Sequence, residues 1–325
     1  MKPGSRTAEN VSDMEIFSGN IKVSELADYD CRLLLVLSRL GIAGSFGEKT
    51  VAEVCQKNGL DTDTVLLICR VYSSADFRPS AREVRKCRVE DVIRYVRLSH
   101  DFYTKNAIES IAVSIERLIS PCLPSSRQVV RDFFAGYKDE LLKHFAFEEE
   151  DVIPYIDGLL EGRRRQNFNI HYFEEHHTNI EEKLSDLKNI VMKSLPHECD
   201  DTLRQSLLQD LYALLYDLRS HTCIEDHILV PMARLLAGAR GFGGRHVDVL
   251  REEDESSELS DREKEILVCV AKGLINKEIA DRLNISINTV ITHRRNITRK
   301  IGIRSIPGLT VYAILNNLID IKDVE

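Results

Sequence analysis

Apolar residues recur at spacings of three and four through most of this chain, the period of one helical face. Between residues 88 and 237 the repeat is long. Over 21–85 it comes in shorter runs, "VSELADYDCRLLLVLSRLGIAG" and "KTVAEVCQKNGLDTDTVLLICRVY". Strand-like alternation is nearly absent, so the pattern predicts an all-α protein. Punctuation divides the chain further. Residues 1–20 are polar and expected to fray. "GARGFGGRHVDVLREEDESS", residues 238–257, sets four glycines before an acidic, serine-bearing run, which reads as a flexible linker. The expected units are a flexible N-terminus at 1–20, a short helical module at 21–87, a helical bundle at 88–237, the linker at 238–257 and a compact unit at 258–325.

Several polar residues interrupt the apolar stripes at positions that must face inward. His100 lines up with Ile93, Val96, Tyr103, Ala107 and Ile111. His144 follows Phe133, Tyr137 and Leu141, with Glu148 and Val152 beyond it. His177 shares a face with Ile170, Phe173, Ile180, Leu184 and Val191. His221 follows Leu207, Leu211, Leu214 and Leu218, with Glu225 and Ile228 after it. Two of these stretches are near-copies: "HFAFEEEDVIP" at 144–154 and "HTCIEDHILVP" at 221–231. His144 and His221, Glu148 and Glu225, Pro154 and Pro231, and His100 and His177 all stand 77 residues apart. A doubled helix pair of this kind predicts a four-helix bundle with an approximate two-fold axis.

Residues four apart on a helix stand one above the other. Four imidazoles and two carboxylates brought inside a bundle are expensive when unpaired. A pair of cations resolves that expense, each taking two histidines while both glutamates bridge. Mixed nitrogen and oxygen ligation with open positions suits iron best, with zinc and manganese as alternatives. The plainer reading is core histidines satisfied by hydrogen bonds, and the shared offset weighs against it. These residues resemble a hemerythrin-like (HHE) domain, most closely that of the repair-of-iron-centres family. The resemblance implies two non-haem irons in an oxo- and carboxylate-bridged di-iron centre, with His100, His144, Glu148, His177, His221 and Glu225 as ligands. His176 is a rival to His177 on the same stripe. Oxygen carriers of the hemerythrin type have a further histidine four residues on; here that position is Glu181, which argues against oxygen transport. "LSRLGIAGSFGEKTVAEVCQKNGLD" resembles the short module that precedes such bundles, but Ser45 and Phe46 stand where that family has adjacent cysteines.

The last unit has a different grammar. Ser260 and Glu263 form a capping box, and Gly273 ends a first helix. A short helix, "KEIADRL", follows Asn276, "NIS" turns the chain, and Ser286 caps "INTVITHRRNITRKI", which stops at Gly302. That is a helix-turn-helix layout. Val290, Ile297 and Ile301 would pack on its core. Ile291, Thr292 and Arg295 would meet base edges, while Thr289, His293, Arg294, Arg299, Lys300 and Lys277 would contact phosphates. The stretch "LSDREKEIL", "GLINKEIADRL" and "SINTVITHRRNI" is similar to the LuxR/NarL-type DNA-binding domain. That resemblance implies binding to double-stranded DNA as a homodimer, with Leu309, Ala313 and Ile314 in the dimer contact.

Composition adds limits. Of 325 residues, 43% are hydrophobic and 30% charged, the balance of a globular protein. No run is long enough to span a membrane, and the N-terminus lacks an apolar signal core, so a cytoplasmic protein is expected. Eight scattered cysteines without a CxxC pair read as structural thiols in a reducing compartment. The net charge of −8 makes no whole-chain case for nucleic acid, yet residues 286–305 hold no acid and five Arg or Lys. The chain has no Trp, which tells against the acyl-homoserine-lactone sensors of the LuxR group. The resulting expectation is a one-component transcription regulator, not an enzyme, that senses nitric oxide, oxygen or redox state. The alternative is an iron-centre repair or nitric-oxide-handling protein tethered to DNA.

Overall fold

The computed structural model describes residues 16–42, 44, 46–163, 170, 173, 180–196, 198–238 and 259–323. The expected linker, apart from Gly238, and the residues around His176 and His177 lie outside them. The described chain is helical, with no strand beyond one isolated bridge between Lys22 and Thr50. None of its helices is long and apolar enough to cross a membrane. It folds into two compact units built from interleaved segments.

The first unit takes residues 1–102, 148–176 and 219–245. It opens with five short helices, α1 (Val23–Tyr29), α2 (Leu33–Arg39), α3 (Val51–Lys57), α4 (Thr62–Ser73) and α5 (Ala81–Lys86). Local sequence sets their starts. Thr50 and Glu53 close a capping box on α3, and Ser80 and Glu83 one on α5; in each the glutamate accepts the cap N–H at 2.7 Å. α6 (Val89–Phe102) buries Val92, Ile93, Tyr95, Val96, Ser99 and His100. Arg39 is buried against it, donating to Tyr95 Oη and Ser99 Oγ at 3.4 Å. The unit is completed by a π-helical turn (Glu148–Val152), α9 (Ile153–Leu160), the end of α11 (Asp201–Ile224), a second π-helical turn (Glu225–Leu229) and α12 (Val230–Leu236). Ser220 donates to the Tyr72 carbonyl at 3.1 Å, tying the α11 end to α4.

The second unit takes residues 103–147, 177–218 and 246–325. After a third π-helical turn (Tyr103–Ala107) come the hairpin α7 (Ile108–Ile119) with α8 (Pro124–Phe147), and the hairpin α10 (Ile180–Lys193) with α11 (Asp201–Ile224). The apolar stripes read from the sequence are buried here: Ile111; Phe133, Tyr137 and Leu141; Ile180, Leu184 and Val191; Leu207, Leu211, Leu214 and Leu218. Arg131 on Glu116 and Lys138 on Glu109 clip α8 to α7 along the wet side.

The C-terminal helices of this unit are α13 (Asp261–Ala271), α14 (Asn276–Leu283), α15 (Ile287–Ile301) and α16 (Ile306–Leu315). The expected punctuation is present. Ser260 and Glu263 cap α13, Gly273 turns out of it at φ +79°, Ser286 caps α15 and Gly302 ends it at φ +72°. The helix of the turn starts at Asn276 itself, because Glu278 reaches back to the Ile275 N–H at 2.8 Å. Asn284 makes the tight turn in the left-handed region, φ +53°, where a short polar side chain is tolerated. Val290, Ile297 and Ile301 are buried.

Candidate metal centre and nucleic-acid interface

Four elements bring a His/Glu group together in the first unit. α6 carries His100 near its C-terminus, the first π-helical turn begins at Glu148, α11 carries His221 in its last turn, and the second π-helical turn begins at Glu225. His100, Glu148, His221 and Glu225 each offer a ligand atom, and these atoms all lie within 4.8 Å of one another. None of the four residues is more than 4% exposed. His100 Nε2 sits 2.9 Å from Glu148 Oε2, His221 Nε2 sits 3.1 Å from Glu225 Oε1, and the two rings meet edge-on with centroids 5.1 Å apart.

Two carboxylates and two imidazoles this close and this dry match the donor set of a cation site. The backbone agrees: Glu148 and Glu225 each open a π-helical turn, a widened geometry that gathers at functional sites. His100 is also held from its other ring nitrogen. Glu149 Oε1 takes the Nδ1 proton of His100 at 2.8 Å and is held by Arg97 at 3.2 Å, which aims Nε2 at the group. Burial opposes a charged His100, but the hydrogen bonds to Glu148 and Glu149 overcome it and raise its pKa to about 9. The His100 hydrogen bond correspondingly pulls Glu149 below the usual carboxylate range, against partial burial. A cation at Nε2 takes the place of a proton there, so binding would release it.

Of the other expected ligands, His144 is buried in the last turn of α8, its ring 5.5 Å from that of Phe145. It is not among the four gathered residues. His177 and its rival His176 lie outside the described residues. Glu149 was missed by sequence reasoning, since in "FEEED" it looks like one more solvated acid.

In the second unit, α15 presents Ile291, Thr292, Arg295 and Arg299 outward, and Lys277 of α14 is exposed. Thr289, His293 and Arg294 are half-buried, and Arg294 donates to Asn276 Oδ1 at 2.6 Å. Lys300 is placed differently from expectation. Its ammonium turns inward to Glu263 Oε2 at 2.9 Å, with 16% of the side chain exposed. It joins the capping box of α13 through Glu263.

A further contact has no counterpart among the expectations. One face of α10 grips the junction between α15 and α16. Asp186 accepts the Arg304 and Ser305 N–H groups, both at 2.9 Å, and the Ser305 hydroxyl. Asn189 donates to the Gly302 carbonyl, and Lys193 donates to the Ile301 carbonyl at 2.9 Å. An acid thus meets the N-terminus of α16 and a cation the C-terminus of α15, both favourable to the helix dipoles. Burial raises the Asp186 pKa, with the Ser305 and Arg304 donors opposing. α16 packs on α8 and α10, burying Leu309, Val311 and Ala313. The signal was a polar stripe at helical spacing, Asp186, Asn189 and Lys193, on a helix otherwise read for its apolar face.

Two stretches of the chain match known families. Residues 106–233 match the hemerythrin HHE cation-binding domain, and residues 257–313 match the bacterial regulatory proteins of the LuxR family. Curated relatives match the helix-turn-helix part. The oxygen regulatory protein NreC of Staphylococcus aureus (strain bovine RF122 / ET3-1) is 42% identical over 73 residues, 22% of this chain and 34% of its own. NreC of Staphylococcus haemolyticus (strain JCSC1435) is 41% identical over 76 residues, 23% of this chain and 35% of its own. The chain thus spans about a third of the length of these relatives. No solved structure matches it.

Proposed function

We propose that this chain, a hemerythrin HHE domain joined to a LuxR-family DNA-binding domain, is a one-component transcription regulator that reads nitric oxide, oxygen or redox state at a di-iron centre. The buried convergence of His100, Glu148, His221 and Glu225 is the observation that carries it. His144 and His177 would complete the ligand set. A bound iron pair supplies reversible capture of a diatomic molecule and a change of oxidation state. The protein's part is to hold four donors dry, to orient His100 through Glu149, and to exclude bulk water.

The output is double-stranded DNA read by α15 in a homodimer. Ile291, Thr292 and Arg295 face the bases; Lys277, Thr289, His293, Arg294 and Arg299 lie alongside for phosphates. The relatives' names concern oxygen regulation, but they share only the DNA-reading part, so they bear on output rather than on what is sensed. Coupling needs an element that differs between metal states. α11 is a candidate, since it runs in sequence from its hairpin with α10 to His221 and Glu225. α10 in turn holds the α15–α16 junction.

The test is anaerobic purification, metal analysis, and titration of a DNA fragment from the chain's own upstream region with metal-free, reduced, oxidised and nitric-oxide-treated protein. About two irons per chain and an affinity that differs between states are expected. Equal affinity in all four states overturns the sensor reading, and absence of iron overturns the centre.

A further inference from the structure

Cys122 lies in the connection between α7 and α8, and Cys199 in the connection between α10 and α11. Their sulfurs are 3.3 Å apart, one thiol donating to the other. They also stand 77 residues apart, the offset that relates the two His-x-x-x-Glu motifs. The duplicated architecture therefore brings equivalent loop positions of the two hairpins face to face. Neither residue belongs to the His/Glu group, and neither is used by the proposed sensor.

The surroundings favour a pair that reacts together. Both cysteines are buried, at 8% and 2% exposure, yet the cover is thin: Ser120, Pro121, Leu123, Glu198 and Asp200 beside them are exposed, Leu123 to 72%. Arg204 fixes the Cys199 loop by donating to the carbonyls of Val191, Leu195 and Pro196. A disulfide needs its sulfurs about 2.05 Å apart, so closing this pair takes about 1 Å of loop movement.

We propose that Cys122 and Cys199 form a reversible redox-modification site, converted to a disulfide by a peroxide-class oxidant. In the first step one thiolate attacks a peroxide oxygen, the O–O bond breaks, a sulfenic acid forms, and hydroxide leaves and takes up the proton the thiol had lost, as water. The second sulfur then attacks the sulfenic sulfur, the S–O bond breaks, and hydroxide leaves with the displaced proton as water. Overall two thiols and one hydrogen peroxide give one disulfide and two waters. Each sulfur gives up one electron, and a dithiol reductant restores the pair.

Burial, together with the neighbouring thiol, pushes the Cys122 pKa up to about 12. The reactive thiolate is therefore scarce at neutral pH, and the site responds to sustained rather than passing oxidation. The rate should rise steadily with pH between 7 and 9. The product would fasten the α7–α8 hairpin to the α10–α11 hairpin, restraining the helix that grips the α15–α16 junction.

The experiment uses full-length protein, as purified, treated with hydrogen peroxide, quenched in acid, denatured, blocked with alkylating agent and mapped by mass spectrometry. The expected result is loss of two of the eight thiols, a cross-linked peptide joining Cys122 to Cys199 within one chain, and full reversal by dithiothreitol. Cys122→Ser and Cys199→Ser should each abolish the cross-link with helical content retained. Should either variant misfold, the wild-type peptide map decides alone. Eight alkylatable thiols after treatment, a bridge through another cysteine, or a bridge only between chains overturns the proposal.

Discussion

Glu149 shows how one side chain outside the buried His/Glu group can orient it. It takes the Nδ1 proton of His100 at 2.8 Å and is itself steadied by Arg97. Replacing it by Gln keeps the size but removes the charge. We expect E149Q to weaken metal retention about 10–100-fold, measured by competition with a chelator, while helical content stays unchanged. Glu263 is the comparable position in the DNA-binding part. Burial works against its charge, but Lys300 and the Ser260 cap pull its pKa below the ordinary carboxylate value. A carboxylate depressed on folding stabilises above its unfolded pKa, and that contribution is lost as pH falls through the folded one. The unfolding temperature of this part should therefore fall in acid below about pH 4.5, and the acid sensitivity should shrink in K300M. At pH 7, K300M should lower stability by about 1–3 kcal/mol by leaving a buried carboxylate short of a donor, whereas an exposed substitution such as K277M stays within about 0.5 kcal/mol.

The helices were readable because period and punctuation agree. His100, His144, Glu148, His221 and Glu225 stood out as polar residues on apolar stripes, and all five are buried. What a helical wheel could not show is that the helix widens at the glutamates. Glu148–Val152 and Glu225–Leu229 are π-helical, and Pro154 and Pro231 follow each by two residues. A proline donates no hydrogen bond and pushes back the carbonyl four residues before it, which accounts for an opened turn there. Polar stripes on the same helices were passed over because a charged face reads as solvated. Asp186, Asn189 and Lys193 form such a stripe, yet their partners lie more than 100 residues away. D186A removes the acceptor of three hydrogen bonds at the α16 N-terminus. Amide exchange at Arg304 and Ser305 should speed up about 10–100-fold, from a loss of about 1.5–3 kcal/mol, with the core of α13 and α15 still protected.

At the scale of the whole molecule, a protein of net charge −8 must bring a basic helix to DNA, and most of its surface opposes that approach. If the chain works as proposed, binding depends on how freely α15 is presented, and the α10 grip on the neighbouring junction is where control would act. The grip stabilises one placement of the DNA-binding helices by a finite amount. In the proposed regulator, a metal state acting through this grip would alter DNA affinity only insofar as it changed that amount. Weakening the grip by mutation should therefore mimic one end of the switch and flatten the response to the other. In practice D186A should bind the target fragment with the same affinity whether the iron is reduced, oxidised, nitric-oxide-treated or removed, while wild-type affinity differs by about 10-fold, a coupling of about 1.4 kcal/mol. R295A should weaken specific binding in every state and leave the ratio between states intact, because it acts at the base edge and not at the grip. A D186A protein that kept the full wild-type ratio would place the coupling elsewhere than α10.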